Sequence, residues 1–180
     1  MSLPVVIRPY LDVKHLAGTL PGIDAVFFQS SNTQAFDGET ARAAFRERWL
    51  GRYLARDPGW AYVAIAENGD VAGYLVGCTD DPAVTPRFSD IPYFSHFKDL
   101  THRFPAHLHV NLAASHRSCG VGSALVERFA KDARSAGCSG VHVVTSKDSR
   151  NVGFYARLGF SEYGSAGEGA REVVFLGREI

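Results

Sequence analysis

The residues with the plainest chemistry are the run Arg117-Ser118-Cys119-Gly120-Val121-Gly122. An apolar segment, Ala106–Ala113, precedes it, and an amphipathic one, Val121–Ala136, follows. A strand feeding a glycine-bearing turn at a helix start can hold a pyrophosphate, because unpaired amides point at the anion and the helix dipole favours negative charge there. Gly120 and Gly122 let backbone approach phosphate oxygens with no Cβ in the way. The run therefore predicts a nucleotide-type cofactor. A nucleoside-triphosphate loop needs GxxxxGK[ST], and no lysine follows the second glycine. A dinucleotide fingerprint needs a third glycine where Leu125 stands, and an acidic residue after the next strand, where Ser146-Lys147 stand. The plain structural alternative is two glycines easing a tight strand-to-helix turn.

Proton-transfer groups lie on the preceding segment. His107, His109 and Asn111 alternate there and share one strand face by the two-residue period. A histidine near its ordinary pKa of ~6.5 can take a proton from an ammonium, directly or through water; two partly buried strand histidines are the structural alternative. Cys78, Cys119 and Cys138 form no CxxC pair, so a zinc site is not expected. Cys119 reads as a loop residue and not a nucleophile.

Recognisable elements must position these groups. Val5–Arg8 reads as a first strand, and Asp12 as the cap of a helix running toward Leu20 and ended by Pro21-Gly22. Glu39–Arg56 reads as a helix, with Ala41, Phe45, Trp49 and Tyr53 recurring every four residues. Trp60–Ala66 and Val71–Cys78 flank an Asn68-Gly69 turn and read as a hairpin. Thr79–Pro105 reads as an irregular loop, rich in proline and aromatic residues. His107–Ala113 is a strand, Val121–Ala136 a helix ended by Gly137, Gly140–Ser146 a strand, and Asn151–Leu158 a short helix ended by Gly159. Phe160–Tyr163 and Glu172–Leu176 read as a closing strand pair. This order predicts one α/β (α+β) domain over residues 1–180, with a mixed, mostly antiparallel sheet of about six or seven strands flanked by helices on both faces.

Arg117-x-x-Gly120-x-Gly122 after a strand, then a strand, then Asn151, Phe154, Tyr155, Leu158, Gly159 and Phe160 in order, resembles the GNAT superfamily of acyl-CoA-dependent N-acyltransferases. The central loop and the ending Val173–Arg178 also resemble the acetyltransferase-like domain of O-GlcNAc hydrolases. The resemblance implies that acetyl-CoA is bound: pyrophosphate on Arg117, Ser118, Cys119, Gly120, Val121, Gly122 and Ser123, pantetheine along Leu112 and Ala113, with Asn151 and Tyr155 assisting. It implies Tyr155 as the acid that protonates the departing thiolate. The strand carrying His107 and His109 resembles that of arylalkylamine acetyltransferases, which makes His109 a candidate base. The O-GlcNAc hydrolase comparison puts a second candidate at Asp148, which also reads as a structural cap. The implied function is direct acetyl transfer from acetyl-CoA to an amine. The alternatives are a non-catalytic acetyl-CoA-binding module and, more remotely, another kind of nucleotide-binding regulatory domain.

Bulk properties agree with such an enzyme and argue against other classes. With 46% hydrophobic residues the 180-residue chain can bury a core, so it is not disordered. Nineteen basic and nineteen acidic residues advertise no nucleic-acid or anionic-membrane partner. No signal peptide or membrane span is visible, so a cytoplasmic setting is expected. The apolar final strand is read as a possible pairing edge for a homodimer.

Overall fold

The computed structural model describes residues 4–180. Its elements are β1 (Val5–Pro9), α1 (Tyr10–Val13), α2 (Thr19–Ser30), α3 (Glu39–Arg46), a π-helical turn (Glu47–Gly51), α4 (Arg52–Arg56), β2 (Ala61–Ala66), β3 (Val71–Cys78), α5 (Pro92–His96), α6 (Lys98–Arg103), β4 (Ala106–Leu112), α7 (Val121–Ser135), β5 (Gly140–Ser146), α8 (Arg150–Arg157), β6 (Ser161–Ala166) and β7 (Val173–Glu179). The seven strands form one mixed, mostly antiparallel sheet in the order β1-β2-β3-β4-β5-β7-β6. Among the described residues, no helix is long and apolar enough to cross a membrane.

The chain divides into two compact units. The first runs through Cys78 and returns for His109–Phe129; the second takes Thr79–Leu108 and Ala130–Ile180. In the first, β1, β2 and β3 form an antiparallel meander, with Gly69 closing the hairpin at φ 88°. Strand β3 is buried on both faces, as a central strand must be. Gly73 lets it close on β4, because a Cβ there would lie 2.4 Å from Leu112 Cδ2 and 2.8 Å from the Asn111 carbonyl oxygen. Leu50, Tyr53, Leu75, Leu125, Val126 and Phe129 fill the core of this unit. Each such side chain contributes roughly 1.5–3 kcal/mol through burial.

In the second unit the β4–β5 ladder is parallel and pairs Ala106 with Val141 and His107 with His142. Strand β5 then runs antiparallel to β7 along its full length, from Gly140–Glu179 to Ser146–Val173. Strand β7 pairs on its other side with β6. It is therefore an internal strand, so the expectation that the final strand offers an edge for a dimer does not hold; the outer strand on this side is β6. Its apolar residues serve the core instead, where Phe97, Phe104 and Phe175 cluster with Tyr93, Leu100, Val144 and Val173.

Three local expectations are corrected. Pro21-Gly22 does not end a helix. It lies in the first turn of α2, where the missing proline N–H is one that no helical carbonyl would accept, and Gly22 N–H already bonds the Gly18 carbonyl. Asp12 sits inside the single turn α1, whose N-cap is Pro9. Thr79–Pro105 is likewise not an irregular loop: it holds α5 and α6, with Pro92 at a helix start. Phe88, Ile91, Phe94, Phe97 and Phe104 anchor it by burying their side chains.

Candidate functional site

The loop before α7 is built as an anion cradle. Ser118 and Gly120 both have left-handed backbone, at φ 61° and 83°. For a serine this costs roughly 1–2 kcal/mol, and such strain is characteristic of binding loops. The first backbone bond into α7 runs from Ala124 N–H to the Gly120 carbonyl, so the N–H groups of Val121, Gly122 and Ser123 find no acceptor inside the helix. Fifteen residues of helix put the positive end of its dipole at that point. A cavity of about 320 Å³ opens beside the loop, lined by Pro4, Val5, Ile7, Cys119, Gly120, Val121 and Ala124. The Cys119 thiol is exposed and donates to the His116 carbonyl at 2.9 Å.

Arg117 is exposed and only loosely held. Its Nε lies 3.4 Å from the Leu112 carbonyl and one terminal nitrogen 3.5 Å from Ser30 Oγ. Ser30 Oγ, at the end of α2, donates to that same carbonyl at 3.1 Å. Ala113 N–H is already given to the Ala72 carbonyl of β3 at 3.0 Å. Of the expected pantetheine pair, Leu112 is thus the residue whose main chain faces away from β3, by the alternation of a strand. Left-handed backbone, three helix-start amides and a nearby guanidinium are what a pyrophosphate requires, so these residues fit the pyrophosphate of a nucleotide-type cofactor.

His109 lies in the same unit, half-buried on β4. Tyr53 from α4 approaches its Nε2 with the phenol oxygen at 3.1 Å, and Trp49 from the π-helical turn stands edge-on to the ring at 5.5 Å. Desolvation by these neighbours, with a smaller contribution from the charge of Arg52, pushes the His109 pKa down to about 4. The expectation of an ordinary histidine is corrected: His109 is neutral throughout the physiological range. Two positions on, Asn111 donates to the Tyr74 hydroxyl at 2.7 Å. Sequence reasoning took Trp49 and Tyr53 for core positions only, since helical periodicity reports a buried face and not its partner.

A stability prediction follows from His109. In the unfolded chain it binds a proton near pH 6.5, whereas in the fold it refuses one until about pH 4. Its neutral burial costs nothing above pH 6.5, and the fold loses stability as pH falls toward 4, by about 3 kcal/mol in all. Urea unfolding of wild type and His109→Gln at pH 7 and pH 4.5 checks this: the variant should lose less stability between the two. Equal losses would contradict it.

In the second unit, His107 is buried among Phe88, Phe94 and His142, so it is a core histidine. His142 bonds the Phe104 carbonyl. Tyr155 on α8 is 5% exposed, its ring packed edge-on against Phe154 and Phe160. Burial pushes its phenol pKa well above the ordinary value, so the hydroxyl keeps its proton at neutral pH. The cap of α8 is Ser149, which accepts from Asn151 N–H at 3.0 Å; the expectation that Asp148 caps it is corrected by one residue. Asp148 is exposed in the turn after β5, beside Lys147, which pairs with Glu172 at 2.8 Å. The structure thus keeps Arg117–Ser123, Leu112 and His109 in one unit and Asp148, Asn151 and Tyr155 in the other.

The sequence model of the acetyltransferase (GNAT) family matches residues 26–160. The chain belongs to the GNAT family of acetyltransferases. No curated protein matches it by sequence. Among solved structures, SsHAT is 22% identical with a TM-score of 0.73, covering 97% of this chain and 98% of its own. A GCN5-related N-acetyltransferase from Kribbella flavida is 18% identical with a TM-score of 0.66, covering 98% of each. The NatC complex bound to Gag peptide and CoA contains a chain 14% identical with a TM-score of 0.65, covering 100% of this chain and 99% of its own. At these identities the likeness is one of GNAT fold.

Proposed function

We propose that the chain, as one domain over residues 1–180, is an acetyl-CoA-dependent N-acetyltransferase that passes acetyl directly to an amine. The observation that carries the reading is the strained, amide-rich loop at the start of α7, inside the region matched by the family model. Arg117 and the backbone of Ser118, Cys119, Gly120, Val121, Gly122 and Ser123 hold the pyrophosphate. Leu112 offers main-chain pairing to the pantetheine arm. The exposed side chain of Asn151 assists, its backbone N–H being spent on the Ser149 cap.

When bound, acetyl-CoA supplies the acetyl group as a thioester. Tyr155 keeps its phenol proton at neutral pH and delivers it to the departing sulfur. His109 takes the proton given up by the nitrogen. A base with a pKa of about 4 is too weak to strip a free alkylammonium of pKa ~10, so the amine must enter neutral, and His109 takes an N–H proton after the new C–N bond has made the nitrogen cationic and far more acidic. Asp148 is the alternative base. A limb near pH 4 in kcat/KM that disappears in His109→Gln assigns His109; loss of turnover in Asp148→Asn with His109→Gln still active assigns Asp148.

The narrower relationship to the acetyltransferase-like domain of O-GlcNAc hydrolases belongs to the same proposal, carried by the central aromatic segment and the closing strand. No disulfide joins the three cysteines, which suits a reducing cytoplasm. The test offers acetyl-CoA with a polyamine, an arylalkylamine, an aminosugar and a lysine peptide, reading thiol release and product mass. Turnover of at least one amine is expected. Saturable acetyl-CoA binding with no acetylated product from any amine class would instead favour the non-catalytic binding module.

A further inference from the structure

Helix α3, the π-helical turn and α4 form one continuous helical stretch from Glu39 to Arg56. A π turn is a rare, costly winding that recurs at functional sites. Here it carries Trp49, and Tyr53 follows in α4, so both rings meet one imidazole, at 5.5 and 5.3 Å and nearly perpendicular to it. Tyr53 is 0% exposed, so its hydroxyl is fixed by the core and not by solvent. Of the two ring nitrogens of His109, Nε2 is the one it engages. A neutral imidazole has one donor and one acceptor nitrogen, and the bond made by one decides the chemistry of the other. A proton-accepting Nδ1 requires the hydrogen on Nε2, and a phenol oxygen at 3.1 Å can receive it.

We propose that Tyr53 is a positioning residue for His109: its buried oxygen accepts from Nε2–H, fixes the ring's orientation and tautomer, and leaves the Nδ1 lone pair to take the proton from the acceptor nitrogen. The proposal rests on the reading of His109 as the base. In the step, the lone pair of the neutral acceptor nitrogen forms the new C–N bond as the thioester C–S bond breaks with its pair on sulfur; the N–H bond then breaks, its electron pair stays on nitrogen as the amide lone pair, and the proton moves to Nδ1. The resulting imidazolium carries its second proton on Nε2, still held by Tyr53. Trp49 keeps the ring plane. Arg52 is the charged group whose field reaches the ring, and it opposes a lasting positive charge there, which favours release of the proton after turnover.

The test uses the full chain labelled with nitrogen-15 histidine, with His109 assigned by its loss in His109→Gln. Wild type should show His109 as the Nε2–H tautomer. Tyr53→Phe keeps the ring and removes only the oxygen, so the fold should survive. It should shift the His109 nitrogen signals toward a mixture of tautomers and lower kcat about tenfold, with KM for acetyl-CoA unchanged within about twofold. An Nδ1–H tautomer in wild type, or unaltered His109 signals in Tyr53→Phe while His109→Gln is inactive, overturns the role of Tyr53 alone. A His109→Gln protein that turns over at the wild-type rate removes the base reading, and the proposal with it.

Discussion

Tyr155→Phe should lower kcat about 100-fold while leaving acetyl-CoA affinity within about twofold, the signature of a lost general acid. The substitution is clean because the ring contacts with Phe154 and Phe160, at 5.0 and 5.3 Å, do not involve the hydroxyl. The fold should therefore keep its stability, and the loss should fall on chemistry. Burial also fixes the shape of the pH profile: the phenol is held above its ordinary range, so Tyr155 should give no alkaline limb below pH ~10. Steady-state rates and a calorimetric titration of the two proteins check both parts. Equal kcat values would remove Tyr155 from the mechanism and leave it a core aromatic.

Arg117→Ala and Gly120→Val should have the opposite signature, weakening acetyl-CoA at least tenfold. The guanidinium of Arg117 is exposed and makes only contacts of 3.4 and 3.5 Å, so it can swing to a phosphate at little cost. A charge-assisted bond of this kind contributes about 1.5–3 kcal/mol. Gly120 acts through its backbone. At φ 83° a valine is strained, and its side chain would project where nothing in the protein lies within 4 Å, the space a phosphate needs. Isothermal titration resolves both effects, and thermal unfolding separates the backbone strain of Gly120→Val from lost affinity. Unchanged affinity in both variants would move the cofactor away from this loop.

Much of this was legible in the sequence where the signal is local. The hairpin at Asn68-Gly69 and the strand Gly140–Ser146 stand where turn chemistry and apolar runs put them. The phosphate loop was visible from Gly120 and Gly122, whose backbone freedom is a property of residue type. The left-handed backbone of Ser118 was not, because nothing in a serine announces it; the fold imposes it. Pro21-Gly22 and the prolines of 79–105 misled for one reason. Proline marks both the end of a helix and its first turn, and only the buried Phe88, Phe94 and Phe97 decide between loop and helix there. The acid–base chemistry was the least legible. The low pKa of His109 comes from burial and the nearby charge of Arg52, and its ring meets Tyr53, 56 positions away, and Trp49 in a π turn that has no sequence pattern of its own.

Titration of acetyl-CoA into the wild-type chain decides whether the Arg117–Ser123 loop holds the cofactor. Binding should be saturable, one molecule per chain, with a Kd below ~100 μM, about −5.5 kcal/mol or better, and affinity should fall on adding inorganic pyrophosphate as a competitor for the loop. No heat and no thermal shift at ~1 mM acetyl-CoA would contradict it.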